Sequence, residues 1–231
     1  MCTNTIFEKN FIGSTFMTFR TFIENLSKEL LSPLPGEVAQ LKMASVRRAA
    51  ELMLFSSKEN AVASSVLILL YPDDTGDFGT VLIQRPSYEG VHGGQISLPG
   101  GKSEEGDCDL SHTALRETRE EIGVFEDTVQ VIGRLSELYI PPSNYIVHPF
   151  IGFLAEKPSF YPDPQEVAEI VEISIKDLMN DCNIKRRDIQ VYQNFTINAP
   201  FYDLKGKTVW GATAMILSEF REILRKVASW E

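Results

Sequence analysis

Apolar residues recur at Phe19, Phe22, Ile23, Leu26 and Leu30, the spacing of an amphipathic helix over 18–31, and Pro33 and Pro35 stop it. A second helical stretch is expected over 44–55. Two β-branched and leucine-rich runs, 65–71 and 79–84, flank Pro72-Asp73-Asp74-Thr75-Gly76 and predict a hairpin of central strands with an acidic loop. Further strands are expected over 129–140 and 145–154, around the turn at Pro141-Pro142-Ser143-Asn144, and over 169–175. A helix over 210–227 closes the chain, with Ala212, Met215, Ile216, Phe220, Ile223 and Leu224 on one face. Strands mixed with a few helices predict the α/β class, one domain behind an N-terminal helical segment.

Between Pro99 and Val124 a double glycine, an acidic loop and a helix follow one another. Asp109 is placed to cap that helix and Gly123 to end it. Leu110, Ala114, Thr118 and Ile122 fall at successive i+4 positions, and Leu115 widens this stripe into a face that anchors the helix to a sheet. Glu117, Glu120 and Glu121 leave from one other side, so three carboxylates are expected to converge. Like charges this close repel, and Arg116 and Arg119 relieve that only in part. A hard divalent cation such as Mg²⁺, which takes oxygen ligands, is the natural partner. A bare Glu-x-x-Glu-Glu is usually a solvated helix face, but here glycines, acidic loop, carboxylates and helix stop occur together with the phase correct.

Composition adds bounds. The 231 residues are 43% hydrophobic and 23% charged, an ordinary globular balance with ample material for a core. The net charge of −10 disfavours duplex nucleic acid and anionic membranes as partners, while leaving room for a small anion held by local Arg, Lys or a bridging metal. Cys2, Cys108 and Cys182 are too scattered for a disulfide framework or a zinc site, which fits a cytoplasmic protein. No apolar run approaches a membrane span, and residues 1–16 have no signal-peptide pattern. Residues 1–17 are expected to be a loose tail or an upstream start.

At Gly101 through Val124 the chain resembles the Nudix hydrolase family, whose box is written G-x5-E-x7-R-E-u-x-E-E-x-G-u with u aliphatic. Gly101, Arg116, Glu117, Glu120, Glu121, Gly123 and Val124 match it. Asp107 stands where Glu is usual, Thr118 replaces the first aliphatic residue, and the loop before Arg116 is one residue longer. That variant is similar to the coenzyme A pyrophosphatase branch, whose upstream signature aligns at Val81 to Arg85 and at Gly94 to Gly101, with Pro86 and Gly90 departing from it.

The resemblance implies an α/β/α sandwich with a mixed sheet over 61–231, residues 18–60 packed on it as a helical segment, and a homodimer as a compatible assembly. It implies metal-assisted hydrolysis of a small-molecule nucleoside diphosphate derivative, with Mg²⁺ or Mn²⁺ on Glu117, Glu120 and Glu121. Coenzyme A or acyl-CoA would yield adenosine 3′,5′-bisphosphate and (acyl-)4′-phosphopantetheine; ADP-ribose, NADH or another such derivative is the alternative, since Gly90 interrupts the signature. Arg116 is expected to orient carboxylates, Gly100 and Gly101 to let backbone approach metal or phosphate, Arg85 to touch phosphate, and Glu166, from a later loop, to act as general base. His92 lies within the signature as a further substrate contact; His112 and His148 read as helix-surface and strand residues. A non-catalytic nucleotide-binding regulator fits the fold too, but the intact carboxylates argue against it.

Overall fold

The computed structural model describes residues 17–54, 60–73, 77–86, 94–192 and 195–228. Gly90, His92, the tail over 1–16 and most of the acidic hairpin loop lie outside them. In chain order the helices and strands are α1 (Phe19–Glu29), α2 (Gly36–Gln40), α3 (Val46–Leu54), β1 (Val62–Pro72), β2 (Phe78–Gln84), β3 (Ile96–Ser97), β4 (Gly100–Lys102) and α4 (Leu110–Ile122). They continue with β5 (Gln130–Arg134), β6 (Leu138–Ile140), β7 (Tyr145–Phe153), β8 (Glu169–Ser174), α5 (Ile175–Met179), β9 (Ile184–Tyr192), β10 (Phe195–Leu204), β11 (Lys207–Val209) and α6 (Gly211–Val227).

The expected hairpin is present: β1 pairs antiparallel with β2, Leu70 opposite Thr80. β1 also runs parallel to β7 along its length, Val62 opposite Tyr145 through Leu70 opposite Phe153. The sheet is therefore mixed, with strand order β3-β2-β1-β7-β5 and β4, β6 and β8 added to β1, β7 and β2. Because β1 is covered on both faces, its apolar run is nearly continuous rather than alternating. Leu67, Leu69 and Tyr71, with Val81 and Ile83, pack on Ala114 and Ile122 of α4. Ile68, Leu70 and Leu82 point the other way, into a larger core with Phe22 and Leu26 of α1 and Phe220 and Leu224 of α6. Phe22 and Phe78 stack there at 4.5 Å between centroids. The result is helix, sheet, helix, the α/β/α sandwich.

Three features differ from the sequence expectation. The strand expected over 129–140 is two, β5 and β6, each on a different part of β7. Strands β9, β10 and β11 form a second antiparallel sheet, order β11-β10-β9, where no strands were expected. And α6 is not a surface helix with one apolar face: residues 213–221 are buried without interruption, Glu219 and Arg221 among them. Helices α1 and α2 and the second sheet surround it, so even its polar positions lose water.

The Glu219 carboxylate and Arg221 Nη2 are bonded there, while Arg221 Nε is buried with no hydrogen-bond partner among the described residues. The Glu219 carboxylate accepts from the Gly36 N–H at 3.1 Å, the Ser136 N–H at 3.2 Å and Gln40 Nε2 at 2.9 Å. One buried acid thus joins α2, the turn before β6 and α6. Arg221 Nη2 donates to the Met179 carbonyl at 3.0 Å and pairs with Asp181 at 2.5 Å.

Candidate active site

α4 is fixed at both ends as its sequence requires. Asp109 Oδ1 accepts from the Ser111 and His112 N–H groups at 2.8 and 2.9 Å, satisfying donors a helix start leaves open. Gly123 sits at φ 73° with its N–H on the Arg119 carbonyl, a left-handed stop that favours glycine. The stripe of Ala114, Thr118 and Ile122 is buried as expected, and Thr118 Oγ1 donates to the Ala114 carbonyl at 2.7 Å, so its hydroxyl costs little there.

The side of α4 bearing Glu117 and Glu121 meets β4. A Cβ on Gly101 would stand 2.4 Å from the Glu117 carboxylate carbon, so only glycine leaves that carboxylate its place. Gly100 is constrained differently: at φ 149° its missing Cβ would lie 2.2 Å from the Ser65 carbonyl oxygen of β1. A third carboxylate arrives from the loop before β8. The Tyr161 and Asp163 N–H groups donate to the Ile122 and Glu121 carbonyls at 2.9 and 3.0 Å, hooking that loop onto the end of α4. Asp163 then accepts the Glu166 and Val167 N–H groups on its carbonyl. Glu117, Glu121 and Glu166 consequently each offer an oxygen within 4.8 Å of the others, a set able to hold a metal ion. They line an open cleft of about 320 Å³ together with Arg85, Gly101 and Lys102.

The cluster is electrostatically uneven. Glu121 is 1% exposed, and burial raises its pKa to about 7 despite Arg85 and the Gly100 N–H. Its Oε2 accepts from Gly100 N at 2.7 Å and its Oε1 from Arg85 Nη2 at 3.3 Å. Glu117 is shifted upward too, mainly by burial, with Arg116 opposing.

Arg116 is the hub of the outer side. Its Nε and Nη2 grip both oxygens of Asp107 at 2.9 and 3.1 Å, and its Nη1 donates to Glu117 Oε1 at 3.0 Å and Glu120 Oε2 at 2.9 Å. Nη2 also reaches the Lys102 carbonyl at 3.0 Å. The Arg116 bond holds the Asp107 carboxyl well below the usual range. Glu120 is 45% exposed, lies between Arg116 and Arg119, and shares Arg116 Nη1 with Glu117.

The structure thus brings together Glu117, Glu121, Glu166, Arg85, Gly100 and Gly101, and leaves Glu120 and Arg116 on the flank. Sequence reasoning missed Lys102, whose position directly after the double glycine was the available signal, and Asp163, whose hook no local pattern reveals. Asp107 proves to be the anchor of Arg116. His112 is a helix-surface residue as expected, accepting the Cys108 N–H at 3.3 Å and lying 3.1 Å from Glu126. Glu172 on β8 is half-buried and accepts the Tyr71 hydroxyl at 3.1 Å.

Among known proteins, a NUDIX domain model matches residues 61–195. The chain is 35% identical over 160 residues to "Nudix hydrolase 15, mitochondrial" of Arabidopsis thaliana, covering 67% of this chain and 55% of that protein. It is 30% identical over 164 residues to "Uncharacterized Nudix hydrolase NudL" of Yersinia pestis, covering 71% and 79% respectively. The chain spans about half the length of the plant relatives it matches. A crystal structure of a Nudix hydrolase from M. smegmatis, RenU, shares the fold with a TM-score of 0.52 at 17% identity, over 73% of this chain and 89% of that one. Among the described residues no helix is long and apolar enough to cross a membrane.

Proposed function

The chain belongs to the Nudix hydrolase family, which acts on phosphoanhydride bonds, and from that premise we propose that it is a divalent-metal-dependent pyrophosphohydrolase of coenzyme A or acyl-CoA. The observation that carries the hydrolytic reading is the convergence of Glu117, Glu121 and Glu166 in an open cleft floored by Gly101. All three are hard oxygen donors, one of them buried with its charge only partly compensated, which suits Mg²⁺ or Mn²⁺. Glu120, sharing Arg116 Nη1 with Glu117, completes the helix carboxylates assigned to the ion. When bound, the ion supplies neutralisation of the diphosphate and a lowered pKa for water.

The chain's own groups do the rest. Arg116, locked by Asp107, fixes the Glu117 and Glu120 carboxylates. Glu166, exposed at the cleft's edge, takes the proton of the attacking water. Arg85 and Lys102 meet phosphate oxygens, and the bare backbone at Gly100 and Gly101 admits them closely. The coenzyme A assignment rests on Val81–Arg85 and Gly94–Gly101, which resemble that branch's signature. Gly90, standing where the signature has Arg, favours a second reading with ADP-ribose or NADH as substrate. The cysteine usage is the one support for a cytoplasmic location, and two plant relatives carry organellar names.

Mass-resolved product analysis tests this: coenzyme A, ADP-ribose and NADH, each with Mg²⁺ or Mn²⁺, beside a Glu120→Gln control. Adenosine 3′,5′-bisphosphate from coenzyme A is expected. Cleavage of the others alone would move the assignment to the second reading, and no cleavage would refute turnover.

A further inference from the structure

The two guanidinium groups at the acidic cluster are held very differently. Arg116 grips both oxygens of Asp107 through two nitrogens at 2.9 and 3.1 Å, the bidentate geometry that is hard to displace. Arg85 makes no such fork: one nitrogen, Nη2, bridges the Gly100 carbonyl at 3.2 Å and Glu121 Oε1 at 3.3 Å. Both bonds are long and share a single donor atom. Arg85 is also 31% exposed, lies in the wall of the cleft and follows the last residue of β2. Yet among the described residues it is the cation paired with Glu121, since Arg116 reaches Glu117 and Glu120 instead.

Resting on the reading of Glu117, Glu120 and Glu121 as the ion-binding set, with Glu166 beside them as the base, we infer that Arg85 and the divalent ion are alternative partners of the Glu121 carboxylate. A dication and a guanidinium crowded onto one buried carboxylate repel each other where little water screens them. The ion's arrival therefore releases Arg85, whose free fork then turns to the substrate diphosphate in the same cleft. Metal loading creates the phosphate-binding group, so an anionic diphosphate binds best after the ion and tightens it in turn. In the metal-free protein Arg85 serves as a placeholder that keeps the carboxylates from repelling one another.

The test measures Mn²⁺ binding to the full chain without nucleotide, by the spin-resonance signal of free Mn²⁺, for wild type, Arg85→Gln, Arg85→Lys and Glu121→Gln. ADP affinity at saturating Mg²⁺ is measured alongside, and circular dichroism checks that each variant is folded. Removing the competitor should tighten Mn²⁺ in Arg85→Gln by about fivefold or more, while ADP binding weakens by about tenfold. Arg85→Lys, which keeps the charge, should stay nearer wild type in Mn²⁺ binding. A residue that merely propped Glu121 would move both affinities downward; Mn²⁺ binding that is unchanged or weaker in Arg85→Gln, with wild type binding tightly, overturns the exchange and leaves the metal site standing. Equal Mn²⁺ binding by wild type and Glu121→Gln overturns the metal site itself, and the exchange with it.

Discussion

Replacing Gly101 by alanine separates the integrity of the fold from that of the site. Gly101 has no positive φ, so alanine meets no backbone objection there. Its methyl carbon would lie 2.4 Å from Glu117 Cδ and Oε2 and 2.5 Å from Oε1. Ordinary carbon contacts begin near 3.4 Å, so the carboxylate must retreat by about 1 Å. Glu117 is the far end of a flexible side chain, and its retreat should cost no more than about 1–3 kcal/mol of stability. For an ion-binding group the same displacement is worth on the order of 10²-fold in turnover. Thermal melting, Mn²⁺ titration and kcat/KM on coenzyme A should show a folded protein with weakened metal binding and at least about 10²-fold less activity. Gly100→Ala is the counterpart: its methyl meets the Ser65 carbonyl, which cannot retreat without moving β1, and the variant should fold poorly. Wild-type activity and Mn²⁺ binding in Gly101→Ala would refute the assignment of Glu117 to the ion.

Glu120→Gln changes an exposed group, so its melting curve should match wild type while turnover falls severely; retained turnover would count against the residue's role. Burial lifts Glu121 from an ordinary carboxyl pKa to about 7, so the folded state prefers it protonated. Its contribution to metal-free stability is therefore complete below about pH 4.5 and lost as pH rises through about 7, on the order of 3 kcal/mol in all. In EDTA, Glu121→Gln should lack that alkaline loss, and melts from pH 5 to 8 on both proteins check it. Glu219→Ala removes the shared acceptor of the part-buried Gly36 and Ser136 N–H groups and of the buried Gln40 amide, and should cost about 1–3 kcal/mol in urea unfolding, with earlier proteolysis of residues 17–54; an unchanged midpoint would contradict the tether.

Much of this was readable from local pattern because α4 is governed by local rules. Asp109, Gly123 and the i+4 stripe act within a few residues of themselves, and each does what its spacing indicates. Failures fall where the environment is set from afar. Lys185-Arg186-Arg187-Asp188 reads as a solvated polar run, yet β10 supplies the register that makes it β9. On α6, Glu219 and Arg221 look like a water-facing side; only the packing of α1, α2 and the second sheet buries them. The site shows the same division. Helix phase indicates three carboxylates on one side, yet Glu120 and Glu121, as consecutive residues, diverge by about 100° around α4, and Glu120 is held by Arg116, itself anchored by Asp107 nine residues upstream. The nearness of Glu166 to Glu117 is set by the bonds of Tyr161 and Asp163 to α4 and of Ala168 to β2.

The two bonds to α4 also decide what the intervening chain is free to become. The hook registers the Glu166 loop directly on the last carbonyls of α4, so the loop's position is not transmitted through β5, β6 and β7. Turns between those strands can lengthen, shorten or acquire new surface at little entropic expense while the three carboxylates keep their spacing. A short hydrogen-bonded joint thus makes the reacting core portable among chains whose outer segments, and whose ligands, have diverged.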